Sequence, residues 1–192
     1  MKPKRVLFIC TVNRNRSVVA EYFLRDLLSK QKGPLKEEVE VWSAGMGYSP
    51  EQIRILEAEG KFWDRPVFGL SPYPYIIKTM KRRGHDLGSK ISKEMTRATI
   101  VDADLIIVFT RYQKEKIMSL YGSTDGRVFT IQEFVDYTGY LVSRDDSFPG
   151  WSYDDETKGW FFPDSLLEGS TTEIEHMLWW GMDKFIRFLN QS

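Results

Sequence analysis

The chain has 192 residues, 27 basic and 27 acidic side chains, one cysteine and two histidines. That length fits one domain with a sizeable core, and a formal net charge of zero offers no basic surface for nucleic acid or an anionic membrane. A lone cysteine excludes an internal disulfide and points to a reducing, cytoplasmic setting; 14% aromatic residues argue against disorder, and no apolar run is long enough to span a bilayer.

The first predicted element is a buried strand over Val6 to Ile9 that ends on Cys10. A short loop follows. A helix then begins near Arg16, with Val19, Ala20, Phe23, Leu24, Leu27 and Leu28 on one side, and fades near Gly33-Pro34. The loop amides and the helix N-terminus converge on one point and form an anion site. Lining it are Thr11, Val12, Asn13, Arg14, Asn15, Arg16 and Ser17. A cysteine alone is most often core packing. A cysteine separated by five residues from Arg16-Ser17, between strand and helix, sets a sulfur and a guanidinium around one tetrahedral oxyanion. The helix end, the amides and Arg16 all favour a thiolate. Arg16 suits two phosphate oxygens because its fork is planar and bidentate. Ser17 has two readings, as a donor to the sulfur that eases its departure as thiolate or as a helix cap.

Glu38 to Trp42 predicts the second strand, and Ser43-Ala44-Gly45 a turn after it. A helix is expected over Pro50 to Glu59, and Tyr48, Phe62 and Trp63 are candidates for an aromatic wall at the site. Tyr75 to Arg83 predicts a helix whose Lys78, Lys81, Arg82 and Arg83 form a solvated face, with His85 on the surface beyond it. Asp102 to Thr110 carries the third strand, Tyr112 to Leu120 a helix, and Arg127 to Ile131 the fourth strand. Residues 136–163 are long for a connection and read as a lid or recognition segment. Ser170 to Leu189 predicts an amphipathic helix whose Met177, Leu178, Trp179, Met182, Phe185, Ile186 and Leu189 are core. Strands alternating with helices predict an α/β fold of three layers, with a central four-stranded parallel sheet. Ligands bind such sheets beyond the carboxyl ends of the strands, where Cys10 stands. One cysteine and two scattered histidines give no zinc site.

Cys10, Asn13, Arg16 and Ser17, with the strand before them and Ala20-Glu21 after, resemble the signature loop of the low-molecular-weight protein tyrosine phosphatase family. Ser43-Ala44-Gly45, Gly84 to Thr96 and Asp102 to Thr110 extend the resemblance. Val12 stands where that family has glycine, Asn15 where it has a second cysteine, and Val18 where it has proline. A β-branched Val12 disfavours φ > 0, so a loop reshaped at this point is expected. Thr110 stands near the family's supporting aspartate, and Lys90, Ile91 and Lys93 where it has histidine and arginine.

The resemblance implies a flavodoxin-like fold in a single phosphatase-like domain over 1–192, with insertions at 47–74 and 136–163. It implies a phosphomonoester hydrolase that needs no metal or cofactor, works through a cysteinyl-phosphate, and takes a phosphorylated protein or small aryl phosphate. Ser43 would support Asn13. The leaving oxygen needs an acid, which the family supplies just before its last helix; Asp164 stands there, and Asp136, Asp145, Asp146, Asp154 and Asp155 compete. Related members act on phosphoarginine, a guanidinium leaving group that Arg14 should repel, which favours phosphotyrosine. Against hydrolysis stand a non-catalytic phosphate-binding protein, an arsenate reductase using an external thiol, and a phosphocarrier.

Overall fold

A computed structural model describes residues 4–31, 38–58, 67–122, 126–135 and 164–190. Strand β1 (Lys4–Cys10) lies between β2 (Val39–Gly45) and β3 (Leu105–Val108), and β4 (Val128–Thr130) pairs with β3. All three pairings are parallel, in the order β2-β1-β3-β4. The four-stranded parallel sheet is therefore as expected. An apolar run such as Val6 to Ile9 can sit in such a sheet only if both faces are covered, and all four side chains are fully buried.

Alternation along β1 sends Val6, Phe8 and Cys10 to one face and Leu7 and Ile9 to the other. The first face packs on α1 (Arg16–Ser29), α3 (Pro74–Arg82), α6 (Ile131–Val135), α7 (Asp164–Trp180) and α8 (Met182–Asn190), which contribute Phe23, Leu24, Ile76, Met80, Leu178 and Phe185. The second is covered by α4 (Arg97–Asp102) and α5 (Arg111–Tyr121) through Ile100 and Ile117. Cys10 thus faces the layer that contains α1, whose first turn follows it in sequence.

Several boundaries differ from expectation. Strand β2 continues through Ser43-Ala44-Gly45, because three small residues let it stay paired until Gly45 sits opposite Cys10. Helix α1 stops at Ser29, four residues before Gly33. The last helix begins at Asp164 and breaks at Gly181. A Cβ on Gly181 would lie 2.2 Å from Cγ1 of Val135, so α6 approaches closer there than any side chain permits. Helices α4 and α6 were not expected; each is fixed by a reciprocal cap, Thr96 with Thr99 and Thr130 with Glu133. His85 is half-buried rather than on the surface, its ring edge-on to Phe23 at 5.3 Å. Trp179 is 64% exposed and does not join the core as expected. Within the proposed 47–74 insertion, α2 (Pro50–Ala58) is described, whereas Phe62 and Trp63 lie outside the described residues, as does all of 136–163. Among the described residues no helix is long and apolar enough to cross a membrane.

Candidate active site

Cys10 is the last residue of β1 and Arg16 the first of α1, so the loop between them spans the carboxyl end of the sheet. Cys10 is buried at 2% exposure, and its Sγ lies 3.0 Å from Ser17 Oγ. Asn13 has φ +53° and is the one non-glycine residue with positive φ among those described. Asparagine tolerates this region better than a β-branched side chain. The left-handed position thus falls at Asn13, not at Val12, and valine meets no strain of that kind.

The Asn13 amide explains why the loop holds this shape. Its Nδ2 donates to Ser17 Oγ at 2.9 Å and to Ser43 Oγ at 2.7 Å, and its Oδ1 accepts the Lys93 backbone N–H at 2.9 Å. Beside it, β2 reaches across: Met46 N–H donates to the Cys10 carbonyl at 3.0 Å and Gly47 N–H to Thr11 at 2.9 Å. Gly45 sits so close that a Cβ would be 2.9 Å from both Asn13 N and Thr11 O. Glycine is required by approach rather than by φ.

Four charged groups back the loop. Arg16 is buried, and that burial lowers its guanidinium pKa to about 10, an effect the neighbouring Cys10 partly offsets. The Glu21 carboxylate, 1% exposed, accepts the Ser43 hydroxyl, pairs with Lys90, and pairs with Arg25 at 2.8 Å. A polar chain therefore runs from the sulfur through Ser17, Asn13 and Ser43 to a buried carboxylate with two cations. Buried charges persist only when paired in this way.

The rim is aromatic. Tyr48 and Tyr73 are hydrogen-bonded to each other and half-buried, and burial pushes the Tyr48 phenol up to about 12 and raises Tyr73 as well. Both stay neutral and can present ring faces to an aryl group. Tyr48 was anticipated as part of such a wall; Tyr73 was not.

The other expected residues fall as follows. Thr110 caps α5, accepting from Gln113 N–H at 3.2 Å. It is the buried Gln113 that reaches the loop, with its Oε1 accepting Phe109 N–H at 2.9 Å and its Nε2 3.4 Å from Thr11 Oγ1. Asn15 occupies the N-cap of α1 without a side-chain capping bond, and its buried Oδ1 has no hydrogen-bond partner among the described residues. Asp164 is the first residue of α7, at a helix N-terminus, and its side chain lies outside the described residues. Asp136, Asp145, Asp146, Asp154 and Asp155 lie outside them altogether. Sequence reasoning missed Glu21, Lys90 and Gln113 as supports. Glu21 and Lys90 are 69 positions apart, a separation no local pattern reveals.

The family model described as low molecular weight phosphotyrosine protein phosphatase matches residues 5–61 and 68–143. A protein-arginine-phosphatase of Bacillus subtilis is 26% identical over 68% of this chain and 71% of its own length. A probable low molecular weight protein-tyrosine-phosphatase, EpsP, of Ralstonia nicotianae is 27% identical over 68% of this chain and 72% of its own. The crystal structure of a low molecular weight protein tyrosine phosphatase from T. tengcongensis superposes with a TM-score of 0.65 at 23% identity, covering 96% of this chain and 98% of that one.

Proposed function

Because this chain belongs to the low molecular weight phosphotyrosine protein phosphatase family, we propose that it hydrolyses aryl phosphomonoesters, phosphotyrosine foremost, through a phosphorylated Cys10. One observation carries the reading: a buried sulfur and a buried guanidinium share the loop at the N-terminus of α1, with Ser17 Oγ 3.0 Å from the sulfur.

The reaction proceeds as two displacements at phosphorus. The Cys10 thiolate attacks phosphorus in line, forming the S–P bond as the O–P bond to the leaving group breaks. Arg16 and the amides of residues 11–16 hold the three equatorial oxygens, whose charge is greatest in the transition state. Asp164 protonates the leaving oxygen. As carboxylate it then takes a proton from water, which attacks phosphorus and releases Cys10 as thiolate. Ser17 Oγ donates to the departing sulfur. No step calls on a metal. Ser43 acts through Asn13, holding the loop's shape.

Of the two leaving groups that the relatives' names bring forward, a phenol fits this chain better than a guanidinium. Arg14 adds a fixed cation at the rim, which repels a second guanidinium, and Tyr48 and Tyr73 offer ring faces to an aryl group. We read residues 1–192 as one phosphatase domain with insertions at 47–74 and 136–163, in keeping with a cytoplasmic enzyme whose one cysteine must stay reduced.

Turnover of 4-nitrophenyl phosphate by wild type, Cys10→Ser and Asp164→Asn tests this. The proposal expects no turnover with Cys10→Ser and a loss of about 10²–10⁴-fold with Asp164→Asn. A wild type no faster than Cys10→Ser would leave a phosphate-binding protein only.

A further inference from the structure

Arg14 belongs to the loop, yet its side chain is committed elsewhere. Its Nε donates to the Ser71 carbonyl at 2.7 Å, and its guanidinium carbon lies 4.2 Å from the centre of the Tyr73 ring. Its own carbonyl accepts the Tyr73 N–H at 3.2 Å. Backbone and side chain are thus both tied to residues 71–73, and the guanidinium stands at the rim instead of competing with Arg16 for the phosphoryl group.

Among the described residues this cation has no counter-charge, unlike three other arginines. Arg5, Arg25 and Arg83 pair with Glu40, Glu21 and Glu175. The Nε is used, but among the described residues the four N–H donors of the two terminal nitrogens, a planar fork, have no partner. Stacking on Tyr73 has already fixed the side chain, so binding an anion costs little further ordering. Tyr73 is hydrogen-bonded to Tyr48, and its N–H ties it to the loop at the Arg14 carbonyl. An aryl phosphate seated on Cys10 would lie against these rings, and whatever flanks it in a peptide would lie near Arg14.

We propose that Arg14 is a specificity residue that pairs with a carboxylate next to the phosphotyrosine, so that the preferred substrates are phosphotyrosine segments with an acidic neighbour. The proposal rests on the hydrolase reading above. It adds what that reading lacks, a recognition element for the residues around the ester.

The test uses two phosphotyrosine peptides that differ only in the flanking positions, glutamate in one and glutamine in the other. The wild type is expected to favour the acidic peptide by about tenfold in kcat/KM at low salt, mainly through KM, with the preference shrinking as salt screens the pair. In Arg14→Gln the ratio between the two peptides should fall to near one, whatever happens to turnover of either. Arg14→Lys keeps the charge but loses the fork and the stack, and should give an intermediate ratio. A wild type indifferent to the flanks, or an Arg14→Gln variant with the wild-type ratio, overturns the proposal. Affinities of the same two peptides for Cys10→Ser give the ratio without catalysis. If 4-nitrophenyl phosphate is not turned over, the hydrolase reading fails while this ratio is still measured. Equal affinities would defeat the role of Arg14 alone.

Discussion

Asn13 Nδ2 stands 2.7 Å from Ser43 Oγ, and this contact joins the loop between β1 and α1 to strand β2. Ser43 passes the connection on by donating to Glu21, so the shape of the loop depends on a carboxylate one turn inside α1. The consequences can be measured separately at each link.

Asn13 supplies both a left-handed backbone and a three-way amide. Asn13→Ala should cost about 2–4 kcal/mol, combining the φ penalty with the loss of buried hydrogen bonds. Asn13→Gly restores the backbone but not the amide. Urea unfolding should therefore place glycine between wild type and alanine, while aryl-phosphate turnover falls more than about tenfold in both, since displaced reacting groups lose rate steeply. Equal stability of the alanine variant and wild type would contradict this account.

Gly45→Ala would set a Cβ 2.6 Å from Phe68 Cε1 and 2.9 Å from two loop backbone atoms. The phenyl ring can turn aside, but the backbone of Thr11 and Asn13 cannot move without reshaping the loop. Far-ultraviolet circular dichroism should stay native while affinity for inorganic phosphate drops at least about tenfold, the loss of one good charge-assisted contact. Unchanged phosphate affinity would show that the close approach is incidental.

Glu21→Gln removes the charge that holds Lys90, whose side chain is 13% exposed, and Arg25. Breaking a buried pair from one side costs about 3–5 kcal/mol. Lys90→Met should cost less, because Arg25 still neutralises the carboxylate at 2.8 Å. Denaturant titrations of the two variants check this order, and the reverse order would mean that Arg25 carries little of the pairing.

Acid sensitivity should appear at Glu133. Burial alone would raise its carboxyl, but hydrogen bonds from Lys114 and the Thr130 N–H, both at 2.8 Å, outweigh burial and hold it below its usual value. A carboxyl lowered in the folded state stabilises above the unfolded value and loses that contribution as pH falls through the folded one. The Tm gap between wild type and Glu133→Gln is therefore expected at pH 7 and should close as pH drops below the ordinary value of 4.5. A gap that persists at about pH 3 would detach the cap from the titration.

Much of the architecture was legible because it is written in local pattern. Val6 to Ile9 and Leu105 to Val108 read as buried strands from continuous apolar runs, and the spacing of Cys10, Arg16 and Ser17 marked the loop that joins β1 to α1. What stayed hidden depends on distance or on small size. Lys93 meets Asn13 across 80 positions, and Lys90 finds Glu21 only once the segment before α4 folds over the loop. Gln113 took the contact sought at Thr110 because a residue one turn into α5 reaches back while the cap itself is occupied. Ser43-Ala44-Gly45 looked like a turn, since small residues signal both turns and close packing. Helices as short as α4 and α6 show too few turns for periodicity to register.

The ladder between β1 and β2 runs unbroken until Cys10 and Gly45 lie opposite one another. The loop proposed to take the anion is therefore finished when the protein folds, not when its guest arrives. Inorganic phosphate or arsenate, with no side chain to grip, should already fill it and compete with any substrate.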